Sequence, residues 1–229
     1  MTYPPFFRTL PICFCVVALF WGIFELVASP SSMTDADLDH QIVRMLRRPD
    51  NPSRMIGPLA LEEAMRDFTA LGGYAILITT VIGFSVFALM ELGPRTFHFF
   101  WLTAVGGFMA GVLMKRLIQR ERPSVVPHLS HVAGSTSFPS SHAMMSVVVF
   151  ITIGFLLAQR THNRHLHRLL VGLPFAIAGV VGISRVCMGV HYPSDVLGGW
   201  TGGLAWTWCA FLIRGRLSRG FKESSKNNT

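Results

Sequence analysis

Ser184-Arg185-Val186-Cys187-Met188-Gly189-Val190-His191-Tyr192-Pro193-Ser194-Asp195 is the stretch from which the rest of the chain is read. Before it runs an apolar block at 169–186, and after it another at 195–213. Each approaches the roughly 20 residues that carry a helix across a bilayer. Yet the joint itself holds an arginine, a histidine and a carboxylate. Beside a hydrocarbon core such groups are costly unless they are paired or put to use. The stretch is therefore a polar joint between two membrane helices, and its ionisable residues need an explanation.

Outward from this joint, further apolar blocks occupy residues 10–28, 71–92, 97–114 and about 139–158. Of the 229 residues, 51% are hydrophobic and only 14% charged, with a mean hydropathy of +0.46. Soluble domains carry about 25% charged residues, so a water-soluble globule is excluded. The expected fold class is all-α: an integral membrane bundle of six transmembrane helices with a short amphipathic outer segment. Gly93-Pro94-Arg95-Thr96 makes a tight hairpin of the second and third helices. Gly106, Gly107 and Gly111 allow close packing of the third, and Pro174 is tolerable as a membrane-helix kink. Val27-Ala28-Ser29 resembles a signal-peptide cleavage site. A retained first helix is expected instead, because the block nearly spans and Arg8 is its only basic flank; Glu25 then sits near the outer interface.

Residues 29–66 differ in being polar and of mixed charge. Asp37, Leu38, Ile42, Met45 and Leu46 recur at helical spacing among Asp39, Arg44, Arg47 and Arg48, as in a helix lying on a membrane surface. Residues 59–65 repeat the pattern after Pro58. A surface-lying or gating role is expected there, without catalytic spacing. Six spans put both termini on one side. With that side cytoplasmic, ten basic residues fall inside and ten outside, so the raw count does not orient the chain. The short 159–168 loop and the basic tail at 214–229 do, and they place the termini in the cytoplasm of a cell inner (plasma) membrane. The net charge of +8 is assigned to this bias and not to nucleic acid, since no basic and aromatic repeat accompanies it. Cys13, Cys15, Cys187 and Cys209 form no Cys-x-x-Cys and read as packing residues. One domain, 1–229, is expected, with its motif-bearing core at about 67–213.

Three polar clusters land on the outer face in this topology. Lys115-Arg116-Leu117-Ile118-Gln119-Arg120-Glu121-Arg122-Pro123 leaves the third helix; Lys115 and Arg122, two turns apart, can point the same way. Phe138-Pro139-Ser140-Ser141-His142 opens the fourth, with Pro139 expected in its first turn. The free amides of such a terminus suit an anion. In the third cluster, Arg185 offers a planar fork of donors. His191 and Asp195 stand four apart, so that the carboxylate can fix the imidazole tautomer and leave the other nitrogen nucleophilic. Alone, each cluster reads equally as a snorkelling helix end, a cap, or a structural pair. Together, in order, they do not.

Lys115-x6-Arg122-Pro123, Pro139-Ser140-Ser141-His142 and Ser184-Arg185-x5-His191-x3-Asp195 resemble the motifs of the type 2 phosphatidic acid phosphatases, a family akin to vanadium-dependent haloperoxidases. The resemblance spans residues 115–195, with a weaker echo at Asp67-Phe68-Thr69-Ala70-Leu71-Gly72-Gly73. Ser141 departs from it, standing where the family usually has glycine. The resemblance implies a metal-independent membrane phosphatase that hydrolyses a lipid phosphate or diphosphate in two steps. In it His191 is the nucleophile that becomes a phosphohistidine, Asp195 its orienter, and His142 the acid and then the base. Lys115, Arg122, Ser140, Ser141 and Arg185 hold the phosphoryl oxygens. No cofactor and no metal is implied; His128 and His131 read as polar loop residues. The partners implied are membrane lipids and a lipid phosphate: phosphatidate, phosphatidylglycerol phosphate, undecaprenyl diphosphate or lipid A. A lipid phosphotransferase and a silent lipid-binding or transport protein are the alternatives.

Overall fold

The computed structural model describes residues 33–132 and 134–227. The expected first span at 10–28, read above as a retained helix, lies outside the described residues. Among those described, five helices are long and apolar enough to cross a membrane: α3 (Tyr74–Leu92), α4 (Pro94–Ile118), α5 (Ser141–Ala158), α6 (Arg164–Cys187) and α7 (Pro193–Asn227). They are preceded by α1 (Met33–Met45), an antiparallel pair β1 (Arg47–Arg48) and β2 (Asn51–Met55), and α2 (Leu59–Leu71).

Local chemistry sets the helix ends. Asn163 caps α6, its side-chain oxygen accepting from the amides of His165 and Leu166 at 2.9 and 3.2 Å. Pro94 opens α4 directly after Gly93. Gln119 stops α4 by taking the left-handed conformation at φ 51°. No proline follows Pro193, and α7 continues past the expected limit at 213 into the basic tail.

Helix α5 is the axis of the bundle: 67% of its spanning window is buried, against 17% for the peripheral α3. Val147, Val148, Val149 and Ile151 of α5 meet α6 and α7 on one side and the Leu77–Phe84–Phe100 cluster on the other. A Cβ on Gly199 would stand 2.8 Å from the Ser140 carbonyl oxygen, and one on Gly203 2.8 Å from that of Met144. Only glycine lets α7 approach the α5 backbone so closely. Outward, Ile82, Leu89, Leu102, Met109 and Leu173 are all exposed, as lipid-facing residues are.

The outer segment departs from expectation. It is not a single surface-lying stretch: Pro49 and Pro52, with Asp50 and Asn51, break the helical pattern and turn the chain into a short hairpin. That hairpin also qualifies the all-α reading. Nor are its charges all solvated. Asp39 and Arg47 are buried, and Arg47 Nη1 donates to the Cys187 carbonyl at 2.7 Å. The segment is fastened to the joint between α6 and α7.

Candidate active site

The C-terminal ends of α4 and α6 and the N-terminal ends of α5 and α7 meet at one end of the bundle, beneath the outer segment. His191 lies there, 2% exposed, in the short α6–α7 turn. Arg122 Nη1 faces its Nε2 at 3.2 Å. A guanidinium only donates, so Nε2 holds a lone pair and the ring proton is on Nδ1. That proton faces Asp195 Oδ2 at 3.4 Å. Asp195 is fully buried and fully engaged. Its Oδ2 also accepts from the Tyr192 amide at 2.9 Å and Oδ1 accepts from Arg120 at 2.7 Å, while the Ser137 hydroxyl, which donates to the Glu121 carbonyl at 2.8 Å, lies 3.4 Å from Oδ1. The pair is thus arranged with Nε2 unprotonated, accepting from Arg122, and the carboxylate behind Nδ1.

Burial pushes the His191 imidazole down to about 4; Asp195 pulls the other way, and the charges of Arg185 and Arg122 add to the lowering. A base whose ionisation is depressed stays neutral over a wider acid range. The acid limb of kcat/KM is therefore expected near pH 4, not near the ordinary histidine value of about 6.5. A pH–rate profile of phosphate release, corrected for ionisation of the substrate, checks this; a limb above pH 6 would contradict it.

Three cations gather at this end of the bundle. Lys115 Nζ donates to the carbonyls of Thr136 and Ser137, both at 3.2 Å. Arg122 donates to those of Gly134 at 3.0 Å and Val190 at 2.8 Å. Arg185, 3% exposed, donates to the Thr69 hydroxyl at 2.9 Å and has its Nε unpartnered. Among the described residues no carboxylate lies within ion-pair distance of any of the three. His142, in the first turn of α5, feels the charges of Arg185, His191, Arg122 and Lys115, and its ring centroid is 6.4 Å from that of Tyr74. Ser140 is fully buried with an unpartnered hydroxyl. Ser141 follows as the first residue of α5. Buried donors without acceptors, and cations without anions, describe a receptor for a multiply charged oxyanion.

All eight residues expected from the sequence therefore lie at this end of the bundle, though two placements differ from expectation. Lys115 and Arg122 do not share a helical face: α4 ends at Ile118, and Arg122 reaches the site from the loop beyond the left-handed Gln119. Pro139 precedes the Ser140 cap and is not in the first turn of α5. The Ser140 amide is also taken by the Asp195 carbonyl at 3.0 Å, which leaves the amides of Ser141, His142 and Ala143 as the donors without an intrahelical acceptor. The sequence reading passed over Arg120, Asp39, Ser137 and Thr69. Arg120, Asp39 and Thr69 stood in stretches already singled out, but without these roles; Ser137 did not. His128 donates to the Pro123 carbonyl at 2.7 Å, as a polar loop residue does. Among the described residues, no three His, Cys, Asp or Glu side chains gather as a metal ligand set.

Comparison with known proteins adds an independent line. A family profile described as the PAP2 superfamily matches residues 95–219. The chain is 34% identical over 161 residues to phosphatidylglycerophosphatase B of Bacillus subtilis, a match covering 68% of this chain and 74% of that protein. It is 32% identical over 102 residues to undecaprenyl-diphosphatase BcrC of the same bacterium, covering 42% of this chain and 47% of the relative. The crystal structure of a transmembrane PAP2-type phosphatidylglycerolphosphate phosphatase from Bacillus subtilis superposes with a TM-score of 0.75. That match has 26% identity and covers 88% of this chain and 96% of the other.

Proposed function

The chain belongs to the PAP2 superfamily of membrane lipid phosphatases, and from that premise we propose that it hydrolyses a lipid phosphate or diphosphate through a phosphohistidine on His191. The observation that carries this reading is the gathering of the buried Arg185 and the half-buried Lys115 and Arg122, none with a carboxylate partner among the described residues, at the same end of the bundle as an imidazole whose Nε2 accepts from Arg122.

The chemistry follows from the geometry. A phosphoryl group entering the site replaces the backbone carbonyls as acceptor for Lys115 and Arg122 and gives Arg185 and the Ser140 hydroxyl an acceptor that they lack. Ser141 and the free amides of α5 complete the cradle. Each charge-assisted hydrogen bond of this kind contributes about 1.5–3 kcal/mol. Arg122 moves its hydrogen bond from Nε2 to a phosphoryl oxygen, freeing the lone pair. His191 Nε2 then attacks phosphorus, and the bond from phosphorus to the leaving oxygen breaks. His142 gives that oxygen a proton. The positive charge on the phosphorylated imidazole is met by Asp195 through Nδ1–H. In the second step His142 takes a proton from water, the water oxygen attacks phosphorus, and the N–P bond breaks to release phosphate.

The site end of the bundle is the outer, extracytoplasmic one in this reading. The basic 159–168 loop and the basic end of α7 lie at the other end, as cytoplasmic segments of an inner-membrane protein do. Phosphatidylglycerol phosphate and undecaprenyl diphosphate are the leading substrates, by likeness to the two relatives above. The test is release of phosphate from phosphatidate, phosphatidylglycerol phosphate, undecaprenyl diphosphate and lipid A, in detergent with a chelator present. Release from at least one is expected. No release from any, or transfer of labelled phosphate to another lipid in place of water, would overturn hydrolysis.

A further inference from the structure

Arg120 stands two residues before Arg122 but engages different partners. Its Nη1 donates to Asp195 Oδ1 and to the Ser194 hydroxyl, both at 2.7 Å, and its Nη2 donates to Asp39 Oδ2 at 2.7 Å. The guanidinium carbon lies 4.3 Å from the Tyr192 ring centroid. Asp39 closes the network: its Oδ1 accepts from the Ser194 amide at 3.2 Å, and its Oδ2 accepts from the Ser194 hydroxyl. Beside it, His40 Nε2 meets the Tyr192 hydroxyl at 2.8 Å. Helix α1 thus grips the turn His191-Tyr192-Pro193-Ser194-Asp195 through one arginine and one carboxylate.

We propose that Arg120 is a positioning residue for the His191–Asp195 pair, and that Asp39, carried by the outer helix α1, holds Arg120 in the orientation that does this. The proposal rests on the phosphatase reading above. Asp195 has no solvent exposure and Arg120 side chain only 19%, so their attraction is weakly screened. Arg120 fixes one carboxylate oxygen, which leaves the other to aim the imidazole proton. Its charge also offsets that of Asp195, so that Asp195 orients His191 without drawing it into the cationic form.

The groups that face His191 set the sign of the test. They are Asp195 from α7, Arg122 from the loop after α4, Arg185 from α6 and His142 from α5, with Lys115 of α4 coupled to Asp195. Without Arg120 the uncompensated Asp195 favours the imidazolium, so the acid limb moves to higher pH. Without Asp39, Arg120 serves Asp195 alone, and the limb does not rise. The two variants therefore differ in direction, which a loss of folding does not produce.

The experiment measures kcat, KM and pH profiles of phosphate release for the full chain and for Arg120→Gln, Arg120→Lys and Asp39→Asn. For Arg120→Gln, kcat is expected to fall about 100-fold with KM little changed, since misplacing a reacting group by about 1 Å costs on that order. Its acid limb should rise by about one pH unit. Arg120→Lys, which keeps the charge without the fork, should recover part of kcat, and Asp39→Asn should lose about tenfold in kcat with no upward shift. Should Arg120→Gln fail to fold, the other two variants carry the test. A wild-type chain that releases no phosphate overturns the phosphatase reading and this one with it. An active wild type whose variants keep kcat, or lose only through KM with an unmoved acid limb, overturns the positioning role alone.

Discussion

His191→Ala is expected to reduce phosphate release by at least roughly 10⁴-fold while the protein still folds, the scale seen when a nucleophile that works as part of a unit is removed. In the proposed mechanism the variant takes away the atom that attacks phosphorus and the group through which Asp195 acts. The carboxylate is not stranded by the change, because Arg120 and the Tyr192 amide still hold it. Loss of fold is therefore not the expected outcome, and a thermal unfolding curve in the same detergent checks that point. A His191→Ala protein with wild-type release would remove His191 from the chemistry.

Arg185→Met is expected to lower kcat/KM by about 10²–10³-fold, as loss of one transition-state donor does, and to raise the unfolding temperature. The second half is the sharper claim. Arg185 is a buried guanidinium that, among the described residues, has no carboxylate partner, one hydroxyl acceptor and an unpartnered Nε. Burying a charge in this way costs folding free energy, and an apolar side chain of similar volume is commonly neutral or stabilising there by about 1–4 kcal/mol. For a domain of this size each kcal/mol is worth roughly 2–4 °C. In the proposed function the phosphoryl group offsets that cost in the complex. A variant that loses both activity and thermal stability would show instead that Arg185 holds α2 to α6 through Thr69.

Much of this was legible from the residues alone, for physical reasons. Apolar runs of spanning length can do little but form membrane helices, so the five spans fall close to their blocks. The chain breaks at Gly72 and Gly73 and starts the second expected block at Tyr74, and Gly93 separates α3 from α4. Charged side chains beside those runs are costly, and this marked Lys115, Arg122, Arg185 and Asp195 before any geometry was known. What stayed hidden depends on contacts with no local signature. Arg120 looked like one more cation in a basic run, yet it joins Asp39 and Asp195, 81 and 75 residues away. Asp39 looked like the polar face of a surface helix, and the helical spacing around it was real. What periodicity could not report was that another part of the chain covers that face. The hairpin at 47–55 was obscured in the same way, by basic residues that fit a helix until Pro49.

The glycine seam between α5 and α7 has a mechanical consequence. Gly199 and Gly203 bring the two backbones together, and the Ser140 amide is bonded to the Asp195 carbonyl at their mouths. The anion cradle and the acid behind the nucleophile are thus parts of one stiff body. In the proposed function such a body gauges the phosphoryl group that the candidate lipids share, and choice among their carriers falls to residues outside it.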